Sequence, residues 1–145
     1  MKYPKMNPKI KQRWVKALRS NRYQKGAGAL CVAPTKEGDN YSFCCLGVLT
    51  DLAVQAGIGE WNPDKLDYRD ESKDAVPFVD PAGRHLGVLS EAVLRWAGIH
   101  DPGGDIQERL TAMNDGRTSF STSRDKRRVG KRSHAAIADW IERNL

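Results

Sequence analysis

Cys44 and Cys45 stand side by side just ahead of an apolar run, Leu46-Gly47-Val48-Leu49, that reads as the start of a helix. Thiols in that position invite a nucleophile, because the positive end of a helix lowers a thiol pKa and favours the thiolate. Gln24 lies upstream, and His85, His100 and His134 lie downstream. The competing reading is packing: cysteine is among the most buried residue types, and paired thiols beside an apolar run are more often core than catalytic. None of the three histidines has a sequence neighbour that marks it as a base. A nucleophile is established by its geometry to a base, which order along the chain does not supply.

The order Gln24, Cys44/Cys45, His85 is nevertheless that of papain-like hydrolases. It makes a cysteine-dependent hydrolase the alternative function, with Cys44, Cys45 and His85 as its catalytic residues. Metal chemistry has less support. Cys31, Cys44 and Cys45 lack Cys-x-x-Cys spacing, and no two histidines fall at i, i+4. The acid pairs Asp70-Glu71 and Asp64/Asp67 sit in a polar stretch and read as a solvated face. Gly26-x-Gly28 lacks the third glycine of a dinucleotide fingerprint. No metal and no cofactor is expected.

Binding residues are better represented. Tyr23, Gln24, Lys25, Gly26 and Gly28 combine an aromatic ring, an amide, a cation and permissive backbone, a mixture suited to a nucleotide base and its phosphates. The same residues would also serve as a plain helix-to-strand connection. Asn114-Asp115-Gly116 reads as a turn and joins this candidate site only if it lies beside Tyr23 and Gln24 in space. Arg124, Lys126, Arg127, Arg128, Lys131 and Arg132 form a second, nucleic-acid candidate, able to neutralise phosphates or to dock on an acidic protein. Phe120 is the only aromatic in that stretch, which limits base stacking there.

The charge is distributed in blocks. Of the net +6, residues 1–36 supply ten Lys or Arg and no acid, whereas residues 37–116 carry six basic and fifteen acidic residues. Residues 117–132 then hold seven basic residues and one acid. Such asymmetry marks a polyanion surface or, equally, basic ends folded onto an acidic middle. At 145 residues and 39% apolar the chain suits one domain with a modest core. It has no apolar run near the roughly 20 residues of a membrane span, no signal-peptide block, and an odd cysteine count. A reducing cytoplasm is the expected compartment.

The elements that must position these residues follow from local patterns. Asn7-Pro8 predicts a helix start, and Ile10, Trp14, Ala17 and Leu18 give residues 8–20 one apolar face. Residues 29–32 and 41–45 read as a hairpin around a turn at 34–40. Leu46-Gly47-Val48-Leu49 is echoed by Leu86-Gly87-Val88-Leu89, and both copies run on to Ala-Gly-Ile. The echo predicts two strand-to-helix units, with helices over 46–56 and 86–97. Residues 59–75 read as a surface loop anchored by Trp61 and Tyr68, and 76–85 as a small hairpin turning at 80–83. A short helix over 105–113 and a final helix capped by Ser133 complete the set. Leu46, Leu49, Leu86, Leu89, Trp96, Ile137 and Trp140 are the expected core. The fold class is α+β: a single domain over 1–145, short β-hairpins packed against four or five helices, with 116–132 as an inserted basic mobile loop.

The chain as a whole resembles a group of small, uncharacterised proteins encoded by phages and prophages, especially of actinobacteria. The resemblance rests on Trp14-Val15-x-Ala17-Leu18-Arg19-Ser20, Tyr23-Gln24-x-Gly26-x-Gly28-Ala29-Leu30, Phe43-Cys44-Cys45-Leu46-Gly47-Val48-Leu49-x-Asp51-Leu52-Ala53, Trp96-Ala97-Gly98-Ile99, Leu110-x-x-Met113-Asn114-Asp115 and Ser133-x-x-x-Ile137-Ala138-Asp139-Trp140-Ile141-Glu142. Two departures mark this chain. In that group the Asn-Asp turn leads almost directly into the Ser-x-x-x-Ile-Ala-Asp helix, whereas here the stretch 116–132 intervenes. Position 50 is Thr where the group often has another Cys, which argues against a cysteine-rich metal site. The resemblance implies a viral accessory protein without fixing an activity. The expected function is therefore binding, of a nucleotide signal, a nucleic acid or a host protein, to counter a host defence or regulatory system.

Overall fold

Asn7 and Pro8 open the first helix as their residue types require. The Asn7 side-chain oxygen accepts the Lys9 and Ile10 amides at 3.0 and 3.3 Å, and Pro8 occupies the first turn, where no N–H partner is needed. In the computed structural model, residues 3–34, 40–63, 75–116 and 132–145 are described. Helix α1 spans Pro8–Arg19 and buries Ile10, Trp14, Val15 and Leu18. The Trp14 indole donates to the Cys45 carbonyl at 3.0 Å, fixing α1 against the start of helix α2, Cys45–Gln55. Helix α5, His134–Asn144, packs along α1, and the Met6 amide donates to the Leu145 carbonyl at 3.1 Å, so the two ends of the chain meet.

Two three-stranded sheets flank the helices. The first has the order β1-β3-β2, from β1 (Gln24–Lys25), β2 (Cys31–Val32) and β3 (Ser42–Phe43). β1 and β3 run parallel, and β2 and β3 form the expected antiparallel pair, with Cys31 opposite Phe43. The tip of that hairpin, residues 35–39, lies outside the described residues. The strand is shorter than expected because Cys44 leaves it to cap α2. The second sheet is β4-β5-β6, from β4 (Glu60–Trp61), β5 (Phe78–Asp80) and β6 (Gly83–His85). Glu60–Trp61 therefore corrects the expectation of a loop over 59–75: Trp61 pairs with Phe78 in the sheet. Tyr68 lies outside the described residues. The Val76 amide donates to the Cys31 carbonyl at 2.9 Å and joins the two sheets. Across them runs a row of rings, Tyr23, Phe43, Trp61 and Phe78, each meeting the next edge-on at 5.2–5.9 Å between centroids.

The echoed motif folds in two ways. In the first copy, Leu46 to Leu49 lie within α2 and are buried. In the second, Leu86 to Leu89 are not helical; α3 is Glu91–Ala97, beginning after the Ser90 cap whose hydroxyl accepts the Val93 amide at 3.2 Å. The expected helix over 86–97 is thus shortened at its start, because the cap sits after the motif here and before it in the first copy. Val48 is fully buried and Val88 is 61% exposed. Only the ends match: Gly57 and Gly98 both take left-handed φ (88° and 69°), and Ile58 and Ile99 each donate back into the last turn.

Helix α4 is Asp105–Asp115, capped from outside by Asp101, whose two oxygens accept the Ile106 and Gln107 amides at 3.0 Å. The result is a small α+β domain with five helices among the described residues. Leu46, Leu49, Leu89 and Ile137 share one core with Trp14, Phe78, Leu110 and Ile141. Trp96 and Trp140 pack against that core half-buried, and Leu86 falls outside it because its segment has left the helix.

Candidate functional site

The structure brings Lys25, Gly26 and Asn114 together, and engages their polar groups with one another. Asn114 is fully buried in the last turn of α4, which corrects its expected place in a turn. Its oxygen accepts the Cys45 amide at 3.1 Å, and its nitrogen donates to the Gly26 carbonyl at 2.9 Å and to Asp115 at 2.8 Å. The Lys25 ammonium donates to the Asn114 carbonyl at 2.8 Å. Gly26 is required for this approach, since a Cβ there would stand 2.8 Å from the Ser42 Cβ. With both side-chain N–H groups and its oxygen engaged, Asn114 is a lock between β1, α2 and α4 rather than a ligand contact. Gln24 and Gly28 stay exposed, Gly28 with left-handed φ of 83°.

The thiols are equally committed. Cys44 caps α2, its sulfur accepting the Gly47 amide at 3.3 Å, and the Cys45 thiol faces the Leu110 carbonyl at 3.6 Å. All three cysteines are buried and free. Burial pushes the Cys44 thiol up to about 11 and Cys31 up to about 12, and raises Cys45 well above its ordinary range. The expected lowering by the helix end is overridden: backbone amides do favour the Cys44 thiolate, but desolvation outweighs them. Cys44 does border a cleft of about 40 Å³ with Gly28, Thr111 and Asp115, room for about one water.

No histidine supplies the missing base. His85 Nε2 lies 3.1 Å from Asp80 Oδ1, which also accepts the Ala82 amide at 2.9 Å, so the pair closes the β5–β6 hairpin. Ser90 approaches the same carboxylate, although Oδ2 is left without a hydrogen bond of full geometry. Burial would raise the Asp80 pKa, yet contacts with Ser90, His85 and the Ala82 amide hold it below the usual carboxylate range. His134 is buried, and its Nε2 donates to the Phe43 carbonyl at 3.1 Å; desolvation keeps it neutral by lowering its pKa. His100 is exposed. Among the described residues no hydrogen bond joins a thiol to a histidine, and no cluster of His, Cys, Asp or Glu could hold a metal ion.

What the fold leaves open is a groove of about 670 Å³ between the C-terminal halves of α1 and α2. Arg13, Lys16, Ala17 and Ser20 form one wall, Leu52, Gln55 and Ala56 the other, and Arg22 and Tyr23 the end. None of the described residues that line it carries a carboxylate. Arg13, Lys16 and Arg22 make no side-chain hydrogen bond or ion pair among the described residues. Asn21, in the left-handed region at φ 58°, turns the chain out of α1 and sets Arg22 and Tyr23 in place. The Tyr23 hydroxyl donates to Asp51 at 2.5 Å and accepts from Gln55 at 3.3 Å, while Asp51 also takes the Trp61 indole at 2.9 Å. Burial, and then Asp51, raise the Tyr23 pKa, so the phenol keeps its proton. Sequence reasoning named Tyr23 as a binding candidate and did not name Arg13, Lys16, Arg22 or Gln55, which share the groove with it. The signal was present in the recurrence of Lys9, Arg13 and Lys16 opposite Ile10, Trp14 and Leu18.

A family model described as a domain of unknown function, DUF8296, matches residues 6–145. The chain belongs to the DUF8296 family. No curated protein and no solved structure matches it. The DUF8296 domain here runs from the cap of α1 to the end of α5, so it contains the groove, the Asn114 lock and the buried thiols alike. Of the basic candidates, Arg124, Lys126, Arg127, Arg128 and Lys131 lie outside the described residues. Arg132 is described and is tied to α4: its amide donates to the Met113 carbonyl at 2.8 Å and its guanidinium to the Met113 sulfur at 3.5 Å. Within the described residues no helix is long and apolar enough to cross a membrane.

Proposed function

We propose that this DUF8296 protein acts by binding a phosphate-bearing ligand, a nucleotide signal or a nucleic acid, in the α1–α2 groove. The observation that carries the reading is the composition of that groove: Arg13, Lys16 and Arg22 without acidic partners among the described residues, beside the amide of Gln55 and the ring of Tyr23. Cations unpaired within the fold have solvent to exchange for phosphate oxygens, and charge-assisted hydrogen bonds of that kind are the strong ones. The ring of Tyr23 and the amide oxygen of Gln55, whose nitrogen is committed to Tyr23 and Asp51, lie beside them and suit a base. The cysteine hydrolase has no comparable support, since a buried, protonated thiol without a base is a poor nucleophile. The placement in a phage and against a host defence or regulatory system is supported by the sequence resemblance alone, and the cytoplasm of its bacterial host by the cysteine usage as well.

The test is calorimetric titration of the purified protein with ADP and with pyrophosphate. Binding is expected, and Arg13→Ala combined with Arg22→Ala should weaken it at least tenfold, with the unfolding midpoint nearly unchanged because neither side chain is partnered. Absence of binding to either probe at low salt, alongside binding to an acidic host protein, would replace the nucleotide ligand with a protein one.

A further inference from the structure

The geometry points to a single-stranded nucleic acid as the ligand, lying across the solvent face of α1 with one end in the groove; this deepens the groove reading and rests on it. Lys9, Arg13 and Lys16 recur at i, i+4 and i+7, which places them on one stripe along the helix. At 1.5 Å rise per residue the stripe is about 10 Å long. All three are exposed, and α1 contains no acidic residue to pair with them. The flanking Arg19 is different: it is held by Asp139 at 2.6 Å and Glu142 at 2.7 Å, so the basic surface has a defined edge.

A second groove, of about 800 Å³, runs along the other flank of the stripe; Lys11, Gln12, Lys16 and Ser20 line it together with Val15 and the Arg19–Glu142 pair, so the carboxylate there is already matched by a cation. Lys16 and Ser20 belong to both grooves, so the stripe is a ridge between them. A single phosphate or a mononucleotide needs only one of these features. A row of cations leading from one groove over a ridge into another matches a chain with phosphates at successive intervals. The strand is single because the aromatic and the amide sit in a groove: duplex phosphates reach a ridge, but stacked bases cannot leave the helix to meet Tyr23. Recognition of this type is tolerant of sequence, because every base has a flat face and every nucleotide a phosphate.

The test uses the full chain and fluorescence anisotropy with a labelled oligothymidylate about 12 nucleotides long. The oligomer should bind at least tenfold more tightly than dTDP. A salt slope near −2 is expected for three neutralised phosphates at about 0.7 each. Replacing Lys9→Gln and Lys11→Gln together, both outside the α1–α2 groove, should weaken the oligomer at least fivefold and flatten its slope by about 1, leaving dTDP binding within twofold. An oligomer that binds no tighter than dTDP, an unchanged slope in the double variant, or a duplex of equal length that binds equally well would overturn the track. In those cases dTDP binding that still depends on Arg13 and Arg22 leaves the groove reading standing. If neither dTDP nor the oligomer binds, both readings fall.

Discussion

Replacing Gly47 with alanine should destabilise the protein, although alanine is the better helix former by about 1 kcal/mol. Gly47 is buried in the first turn of α2, against the Leu30 backbone. A Cβ there would stand 2.6 Å from the Leu30 carbonyl carbon and nearer still to its oxygen. The obstacle is backbone, and Leu30 is held in place: its amide donates to the Leu86 carbonyl at 2.7 Å and its carbonyl accepts the Cys44 amide at 3.3 Å. Relief requires α2 to move away from Leu30, which breaks the Cys44 bond and opens the core. Overpacking a core by one methyl group costs about 1–3 kcal/mol when side chains can adjust. With rigid backbone opposite, the upper end applies, and the helical gain offsets part of it. A net loss of about 2–3 kcal/mol corresponds to a melting temperature lower by roughly 6–10 °C for a domain of this size. Gly87→Ala is the internal control: it occupies the same place in the echoed motif and has nothing within 4 Å of a Cβ. It should shift stability by less than about 0.5 kcal/mol. Urea unfolding followed by far-ultraviolet circular dichroism measures both. Equal midpoints for Gly47→Ala and Gly87→Ala would refute the claim that the first motif is seated on Leu30.

Asn114→Leu should cost about 2–4 kcal/mol in the same assay, because it strands the buried Cys45 amide and the Gly26 carbonyl; a loss under 1 kcal/mol would show that water replaces the lock. The thiols should resist a charged disulfide reagent at neutral pH in the folded protein and react at once in denaturant. Their folded pKa values are raised, so the stability they add is present below the unfolded value of about 8.5 and is lost as pH climbs towards about 11 for Cys44 and about 12 for Cys31. Stability that rises with pH across that window in the wild type, relative to Cys44→Ala, would contradict the sign.

Features governed by a few neighbouring residues were legible in the sequence. Asn7-Pro8 and Ser133 cap helices because a side-chain oxygen reaches an amide two or three residues on, a relation the sequence states directly. The Ala-Gly-Ile endings were legible for the same reason. Glu60–Trp61 was not, since a two-residue strand is defined by its partners Phe78 and Val79 and carries no periodicity of its own. The second Leu-Gly-Val-Leu misled because identical apolar letters say nothing about which side of the cap they occupy. Cys44 caps ahead of the first copy, and Ser90 caps behind the second.

Of the candidate site the sequence carried the residue types and not their partners. Asn114 was a candidate on condition that it lay beside the Tyr23-Gln24 segment; its polar groups and those of Lys25 and Gly26 satisfy one another, whereas the Tyr23 hydroxyl turns to Asp51 and Gln55. The unpaired cations that remain were visible as a period in α1, hidden behind the stronger apolar period of the opposite face.

The lock and the groove are nonetheless connected. Arg13, Lys16 and Gln55 stand on helices and need no further support, whereas Arg22 and Tyr23 stand on the connection between α1 and β1. That connection is pinned three times: Arg22 N–H to the Ser20 hydroxyl at 3.3 Å, Tyr23 to Asp51, and Gly26 N–H to the Phe43 carbonyl at 2.9 Å. Asn114 and Lys25 secure the far side. A ligand of the kind proposed would therefore meet the groove's end wall already ordered, and the entropy of fixing that loop would be met in folding rather than in binding. On the proposed binding reading the buried polar residues act without touching the ligand, and their loss is expected to be felt first as looser placement of Arg22 and Tyr23.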